Sequence, residues 1–336
     1  MDDHEKYIKR CLELAKNGLG NTYPNPLVGS VIVNNGKIIG EGWHQKSGGN
    51  HAEVNAILAV KNKKLLKEAT LYVNLEPCSH FGKTPPCTNL IIENQIPNVV
   101  IGSLDTNPVV SGKGIKKLQE ANRNVKVGVL AEQCFEVNKR FFTFHQQKRP
   151  YIILKWAQSI DNFIAPKKKL ESKPVWITNK YSRQLVHKWR SEEEAVLVGT
   201  KTVLDDNPSL TTRDWYGNNP VRIVLDKMNC ISKQNHIFDN DAKTVVLSEN
   251  EIDFNSVTTA EEVVSFLYKQ NIQSVIVEGG TKTINSFIDS NLWDEARVFM
   301  GTAAFFEGTI APIINKKTKF ETTILEDKLL IFYNND

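Results

Sequence analysis

Short apolar runs alternate with amphipathic segments along nearly all of this 336-residue chain, and the alternation restarts once near its middle. A chain patterned this way has few options: strands that alternate with helices form a sheet covered by helices, the α/β layer arrangement. Ile8, Cys11, Leu12 and Ala15 recur at helical spacing and predict an amphipathic helix over 7–19, stopped by Gly18 and Gly20. Strands are expected over 28–33 and 37–43, joined through Asn34-Asn35-Gly36, whose Asn-Gly pair suits the positive φ angles of a tight hairpin. Helix 51–60, strand 71–75, helix 88–94, strand 99–101, helix 114–121 and strand 125–127 follow. The pattern then breaks over 138–150, where Lys139-Arg140 and Lys148-Arg149 flank Phe141-Phe142-Thr143-Phe144 and Pro150 closes the segment. A domain boundary is expected there, giving domains 1–147 and 148–336; a surface helix end with an aromatic staple fits the same residues. The second series is strand 151–157, helix 179–190, strands 195–198, 221–225 and 244–247, helix 261–270 and strand 274–277, with a last helix just past Gly279-Gly280.

Charge narrows the function. The 42 Lys and Arg against 38 Asp and Glu leave +4, too near balance for a dedicated nucleic-acid binder but compatible with a small anionic ligand. No run approaches the roughly 18 apolar residues of a membrane span, and Met1-Asp2-Asp3-His4-Glu5 is acidic where a signal peptide is basic. A cytoplasmic protein without membrane or nucleic-acid partners is expected. Five thinly spread cysteines (Cys11, Cys78, Cys87, Cys134, Cys230) disfavour a disulfide framework, so a special cysteine here is a metal ligand or a nucleophile.

The chemistry concentrates in His51-Ala52-Glu53, Pro77-Cys78 and Cys87. One imidazole and two thiols are a ligand set that zinc accepts, and three protein ligands leave a tetrahedral position for a water whose pKa falls toward about 7. Glu53 is close enough in sequence to stand beside the metal without ligating it, taking the water's proton and returning it to a departing amine. The order His-x-Glu, then Pro-Cys and a second Cys, is the zinc-deaminase signature. Eight residues separate the thiols instead of the usual two; Gly82 and Pro85-Pro86 suit a fixed turn that returns the chain to the metal, and the loop adds His80 and Lys83 near the substrate. A closed structural site with His80 as fourth ligand, or buried cysteines with His51 as a helix cap, are the plainer alternatives.

These residues stand within longer matches: Thr22-Tyr23-Pro24-Asn25-Pro26-Leu27-Val28-Gly29, Gly40-Glu41-Gly42-Trp43-His44, the run from Leu75 to Cys87, and Asp105-Thr106-Asn107-Pro108. Further matches are Leu154-Lys155-Trp156-Ala157-Gln158-Ser159-Ile160-Asp161, Trp176-Ile177-Thr178, the run from Val198 to Pro208 and Val277-Glu278-Gly279-Gly280. Together they strongly resemble the bifunctional deaminase-reductases of riboflavin biosynthesis, over nearly the whole chain.

The resemblance implies an N-terminal cytidine-deaminase-like α/β/α sandwich that holds zinc on His51, Cys78 and Cys87. Its reaction would be hydrolysis of the exocyclic amine of 2,5-diamino-6-(5-phosphoribosylamino)pyrimidin-4(3H)-one, with Glu53 catalytic. Asn25, His44, Lys83, Asp105 and Asn107 would line the pocket, Lys83 meeting the ribose phosphate. It also implies a C-terminal dihydrofolate-reductase-like domain that reduces the ribosyl group with NADPH, and a homo-oligomer, dimer or tetramer. Ala157, Trp176, Thr178, Thr202, Asp206, Gly280, Thr281, Lys282, Thr283, Ile284, Asn285 and Ser286 match the cofactor stretches. Arg190, Leu210, Arg213 and Glu278 match the substrate stretches, the two arginines suiting a phosphate, and Lys155 and Asp206 are the candidates for assisting hydride transfer. From the residues themselves, no Gly-x-Gly-x-x-Gly follows a strand; Val277-Glu278-Gly279-Gly280-Thr281 shows only a strand running into glycines and a helix start whose N–H groups suit phosphate.

Some positions depart from the family pattern. Thr106 replaces a frequent proline, Asn162 stands where glycine is usual, Lys227 follows Asp226 where a small hydroxyl residue is common, and Glu171-Ser172-Lys173-Pro174-Val175 leaves one substrate contact unassigned. Asn tolerates positive φ, so the turn at Asn162 is expected to persist. Two other readings fit the zinc motif alone: a zinc deaminase of nucleosides or nucleic acid with a non-catalytic C-terminal domain, and a zinc-stabilised binding module.

Overall fold

The computed structural model describes residues 3–81, 85–104, 112–169, 171–254 and 259–334. The chain divides into two compact units, Met1–Lys148 and Arg149–Asp336.

In the first unit, α1 (Asp3–Lys16) buries Tyr7, Ile8, Cys11, Leu12, Leu14 and Ala15. It starts upstream of the expected point, with Asp3 and Glu5 placing negative charge at its N-terminal end. β1 (Gly29–Asn34) and β2 (Lys37–Trp43) form the expected hairpin, with Asn35 at φ 47° and Gly36 at φ 73°. α2 (Ala52–Ala59) lies so close on β2 that a Cβ at Gly42 would stand 2.5 Å from the Ala56 nitrogen. β3 (Thr70–Leu75), α3 (Cys87–Glu93), β4 (Asn98–Ser103), α4 (Lys113–Glu120) and β5 (Asn124–Val127) follow. Among the described residues the sheet runs β2-β1-β3-β4-β5, with β1 antiparallel to both neighbours and β3, β4 and β5 parallel.

Alternation along the strands separates two cores. Ile32, Leu71, Val73, Val99 and Ile101 face α2, α3 and α4 through Ala56, Ile91 and Leu118. Val31, Val33, Tyr72 and Val100 face the other way, onto Tyr7, Ile8 and Leu12 of α1 and Cys134 of α5 (Ala131–Val137). The segment read from sequence as an interruption is ordered helix: α6 (Lys139–Gln147) buries Arg140, Phe141, Phe142, Thr143 and Phe144. Phe141 and Phe142 pack on Leu75, so these aromatics are core of the first unit.

The second unit opens with β6 (Tyr151–Gln158), β7 (Phe163–Pro166), α7 (Lys180–Glu192), β8 (Ala195–Gly199), α8 (Thr200–Asp206), β9 (Val221–Leu225) and β10 (Thr244–Leu247). It continues through α9 (Thr259–Lys269), β11 (Ser274–Val277), α10 (Thr281–Asp289), β12 (Glu295–Met300), β13 (Gly308–Ile310), β14 (Phe320–Ile324) and β15 (Asp327–Tyr333). Among the described residues its large sheet runs β10-β9-β8-β11-β6-β12-β15-β14, parallel as far as β12 and antiparallel beyond, while β13 pairs with β7. One face packs on α9 and α10 through Val263, Leu267, Ile284 and Phe287. The opposite face, with Ile153 and Ile276, packs on Val186 and Trp189 of α7. Lys155, two residues after Ile153, and Glu278, two after Ile276, share that α7 face.

Candidate active sites

In the first unit His51 occupies the N-cap position of α2 but makes no capping bond with its side chain. Its ring points to sulfur instead: Nδ1 lies 3.5 Å from Cys78 Sγ and 3.3 Å from Cys87 Sγ. Cys78 follows the end of β3 and Cys87 opens α3, and the Cys87 N–H donates to Cys78 Sγ at 3.3 Å. Among the described residues these three are the group able to hold a metal, their ligand atoms all within 4.8 Å of one another. Zinc bonds of about 2.3 Å to sulfur and 2.0 Å to nitrogen at a tetrahedral angle separate N and S by roughly 3.5 Å, so the arrangement fits zinc. His80 is exposed and does not join the group.

Glu53 lies in the first turn of α2, 3% exposed, and burial pushes its carboxyl up to about 7. The Cys78 thiol is held down to about 4, first by the Cys87 hydrogen bond and then by His51, whereas Cys87 is pushed far up. Asn25 and His44 converge on the same place. His44 Nδ1–H donates to the Asn50 carbonyl at 2.9 Å, which leaves Nε2 to accept from the Asn25 amide at 3.0 Å. Burial lowers the His44 pKa and keeps the ring neutral; it stands edge-on to His51 with 5.6 Å between centroids.

Two buried asparagines absent from the sequence expectations hold the Asn25 segment. Asn138 accepts from Leu27 N–H at 2.7 Å and donates to its carbonyl at 2.9 Å, while Asn74 donates to the same carbonyl and accepts from Gly29 N–H. Asn74 lies fully buried within the otherwise apolar strand Thr70–Leu75. The buried Glu76 carboxylate accepts from the N–H groups of Gly112, Gly114 and Ile115 at the start of α4. Lys83, Asp105 and Asn107 lie outside the described residues.

In the second unit Lys155 is no solvent-facing lysine: its side chain is 14% exposed, with Nζ 3.5 Å from Glu278. Glu278 also takes both Nε and Nη2 of Arg190, at 2.7 and 2.8 Å. Burial alone would raise the Glu278 pKa, but Arg190 and Lys155 overcome it and hold the carboxyl at about 2; burial lowers the Lys155 pKa. Arg190 donates in addition to the Thr211 carbonyl at 3.2 Å, so it is committed to protein partners, whereas Arg213 is exposed. Leu210 sits at φ 53°, a left-handed conformation costly for leucine. The flanking carbonyls are pinned, that of Ser209 by Arg222 and that of Thr211 by His187 and Arg190. Asp206 pairs with Lys169, and among the described residues no bond joins it to Lys155.

Of the cofactor candidates, Thr202, Asp206 and the run 280–286 follow the C-terminal ends of neighbouring parallel strands β8 and β11, where open α/β sheets bind ligands. Gly280, at φ 60°, makes the tight entry into α10 and lies by Thr202: a Cβ there would stand 3.4 Å from Thr202 Oγ1. One on Gly199 would stand 2.7 Å from Thr283 Oγ1. The first turn of α10, with Thr281, Lys282 and Thr283, carries no side-chain cap, which leaves amides that fit a phosphate of NADPH. Ile284 points into the core, so only its backbone is available. Asn285 lies in the second turn of α10, where Ser286 Oγ donates to the Thr283 carbonyl at 2.7 Å. Ala157 is half-buried near the end of β6. Trp176 and Thr178 meet Arg183 of α7. Asn162 holds the expected turn at φ 65°, and Lys227 pairs with Glu249 at 3.2 Å.

A family model described as the RibD C-terminal domain matches residues 150–325, and one for the cytidine and deoxycytidylate deaminase zinc-binding region matches residues 1–103. The riboflavin biosynthesis protein RibD of Aquifex aeolicus is 41% identical over 323 residues, covering 90% of this chain and 88% of the relative. That of Escherichia coli is 34% identical over 328 residues, covering 88% and 87%. A Thermotoga maritima crystal structure described as a diaminohydroxyphosphoribosylaminopyrimidine deaminase/5-amino-6-(5-phosphoribosylamino)uracil reductase superposes with a TM-score of 0.89 at 39% identity, covering 98% of both chains. Acinetobacter baumannii RibD superposes at 0.86 with 28% identity and the same coverage.

Proposed function

Because the chain belongs to the RibD family of riboflavin-biosynthesis enzymes, we propose which residues carry each of its two reactions and on which substrates. It is a bifunctional deaminase/reductase with a cytidine-deaminase-like first unit that binds zinc and a dihydrofolate-reductase-like second unit that uses NADPH. The observation that carries the deaminase reading is Glu53 buried beside the His51, Cys78 and Cys87 cluster.

The first unit removes the exocyclic amine of the phosphoribosyl diaminopyrimidine, releasing ammonia. His51, Cys78 and Cys87 would hold the zinc, which would supply the Lewis acidity that makes water a nucleophile at neutral pH. Glu53, buried beside the three ligands, accepts a proton from the attacking water and passes it to the leaving amine. Asn25 and the neutral His44 orient the pyrimidine, and Lys83, Asp105 and Asn107 complete the pocket, with Lys83 at the phosphate.

The second unit reduces the ribosyl group of 5-amino-6-(5-phosphoribosylamino)uracil to the ribityl form. NADPH supplies the hydride. The Lys155 ammonium, held by Glu278, favours the open-chain ribose, and Asp206 moves the accompanying proton. Arg213 meets the substrate phosphate, while Arg190 fixes Glu278 and Leu210. Trp176, Thr178, Thr202 and the start of α10 hold the cofactor.

The enzyme works in the cytoplasm as a homo-oligomer on a small-molecule substrate, without nucleic acid. Five free cysteines and a near-neutral charge balance support the compartment and the substrate class, and light scattering measures the assembly. The experiment is a coupled assay. Ammonia should appear from the diaminopyrimidine and NADPH should be consumed only once the deaminated product is present. E53Q should keep its zinc and lose ammonia release by about 100-fold or more. Turnover of cytidine, or NADPH left unconsumed, would refute the assignment.

A further inference from the structure

Residues 174–178 lead into α7 without belonging to a helix or a strand. They carry Trp176 and Thr178, yet no sheet ladder aligns their backbone. Among the described residues, three contacts fix them. The Ile177 carbonyl runs against Gly301, where a Cβ would stand 2.1 Å from the oxygen. The Thr178 carbonyl accepts from Arg183 Nη1 at 3.0 Å. The Trp176 indole, 56% exposed, lies under the same guanidinium, with 4.6 Å from Arg183 Cζ to the ring centroid.

Two of the three contacts therefore come from one side chain, and its own base is firm. Asn179 caps α7 by accepting from Tyr181 and Ser182 N–H. The Asn179 N–H and the Ser182 hydroxyl both donate to Asp327 in β15, at 2.8 and 2.5 Å. A guanidinium suits this double task because it stacks one face on an aromatic ring while an N–H at its edge donates in plane; an ammonium offers no such planar fork.

We infer that Arg183 is a positioning residue for NADPH: it sets the Trp176 ring and the Thr178 backbone in the attitude in which they receive the cofactor. The inference rests on the reading that Trp176 and Thr178 meet NADPH. Arg183 itself acts through those two residues, so its loss should weaken cofactor binding and leave the chemical step intact.

The test is steady-state kinetics on the full-length, zinc-loaded R183Q enzyme. KM for NADPH should rise about fivefold to thirtyfold, the size of one lost hydrogen bond plus one exposed cation–π contact. At saturating NADPH, kcat should stay near wild type, as should KM for the deaminated pyrimidine and the rate of ammonia release. R183K should fall between, because it keeps the charge but not the fork, and it gives the same reading if R183Q does not fold. An unchanged KM for NADPH, or both reductase KM values rising together as kcat falls, overturns the inference. Quenching of tryptophan fluorescence by NADPH, compared between wild type and W176F, tests the underlying reading separately. Equal quenching and equal KM for NADPH in W176F would place Trp176 away from the cofactor and remove the premise, whatever R183Q shows.

Discussion

Glu278 joins Arg190 of α7 to Lys155 of β6, so one carboxylate serves as the shared counter-charge of two buried cations. E278Q should cost about 3–5 kcal/mol of stability, because it leaves both cations without a counter-charge. The pH dependence has a definite sign. The Glu278 pKa lies near 2 in the folded chain against an ordinary 4.5, so its stabilisation is complete above pH 4.5 and is lost as pH falls through about 2. Denaturant titrations between those values should show wild type losing stability more steeply than E278Q. The grouping of His51, Cys78 and Cys87 with Glu53 close by is legible in the sequence alone, from residue types and their order. The Glu278–Arg190 pair is not, since 88 residues separate its members and no local pattern records a pairing at that range. Asn74 and Asn138 are silent for a related reason: their work is to bond the backbone of Leu27, which has no distinguishing side chain.

At the scale of elements, α2 matters most because its start presents His51 and its first turn carries Glu53. It can do so only while β2 remains bare at Gly40 and Gly42, where an added Cβ would stand 2.4 Å from the Ala56 oxygen and 2.5 Å from the Ala56 nitrogen. G42A should push the helix outward, lowering stability by about 1–3 kcal/mol. Ammonia release should fall while NADPH oxidation holds, which a side-by-side assay of both half-reactions reads directly. The alternating strands and helices are legible from periodicity. The C-terminal strands are not: β12 carries Glu295 and Arg297, buried and bonded to each other at 2.6 Å, and charges inside a strand erase the apolar signal. In α6 the opposite holds, since Lys139, Lys148 and Arg149 make a core helix look like a linker.

For the whole molecule, each unit has its own sheet and its own apolar core, the condition for losing structure in separate steps. Differential scanning calorimetry should resolve two transitions, and a strong zinc chelator should lower the one that accompanies deaminase loss while the one that accompanies reductase loss stays in place. A single transition shifted as a block by chelation would contradict that independence. The break in the strand-helix series announces two units from sequence; the residues that end the first one become plain only from the packing of Phe141 and Phe142 on Leu75.

His51, Cys78 and Cys87 stand at the mouth of a helix, beyond a strand and at the head of another helix, and they meet only while the sheet beneath them is intact. A captive ion in such a setting is a built-in clock. A colour-forming chelator too weak to strip the native enzyme should register zinc only as molecules open, so the rate at which colour develops would time the opening of the deaminase half without any added label.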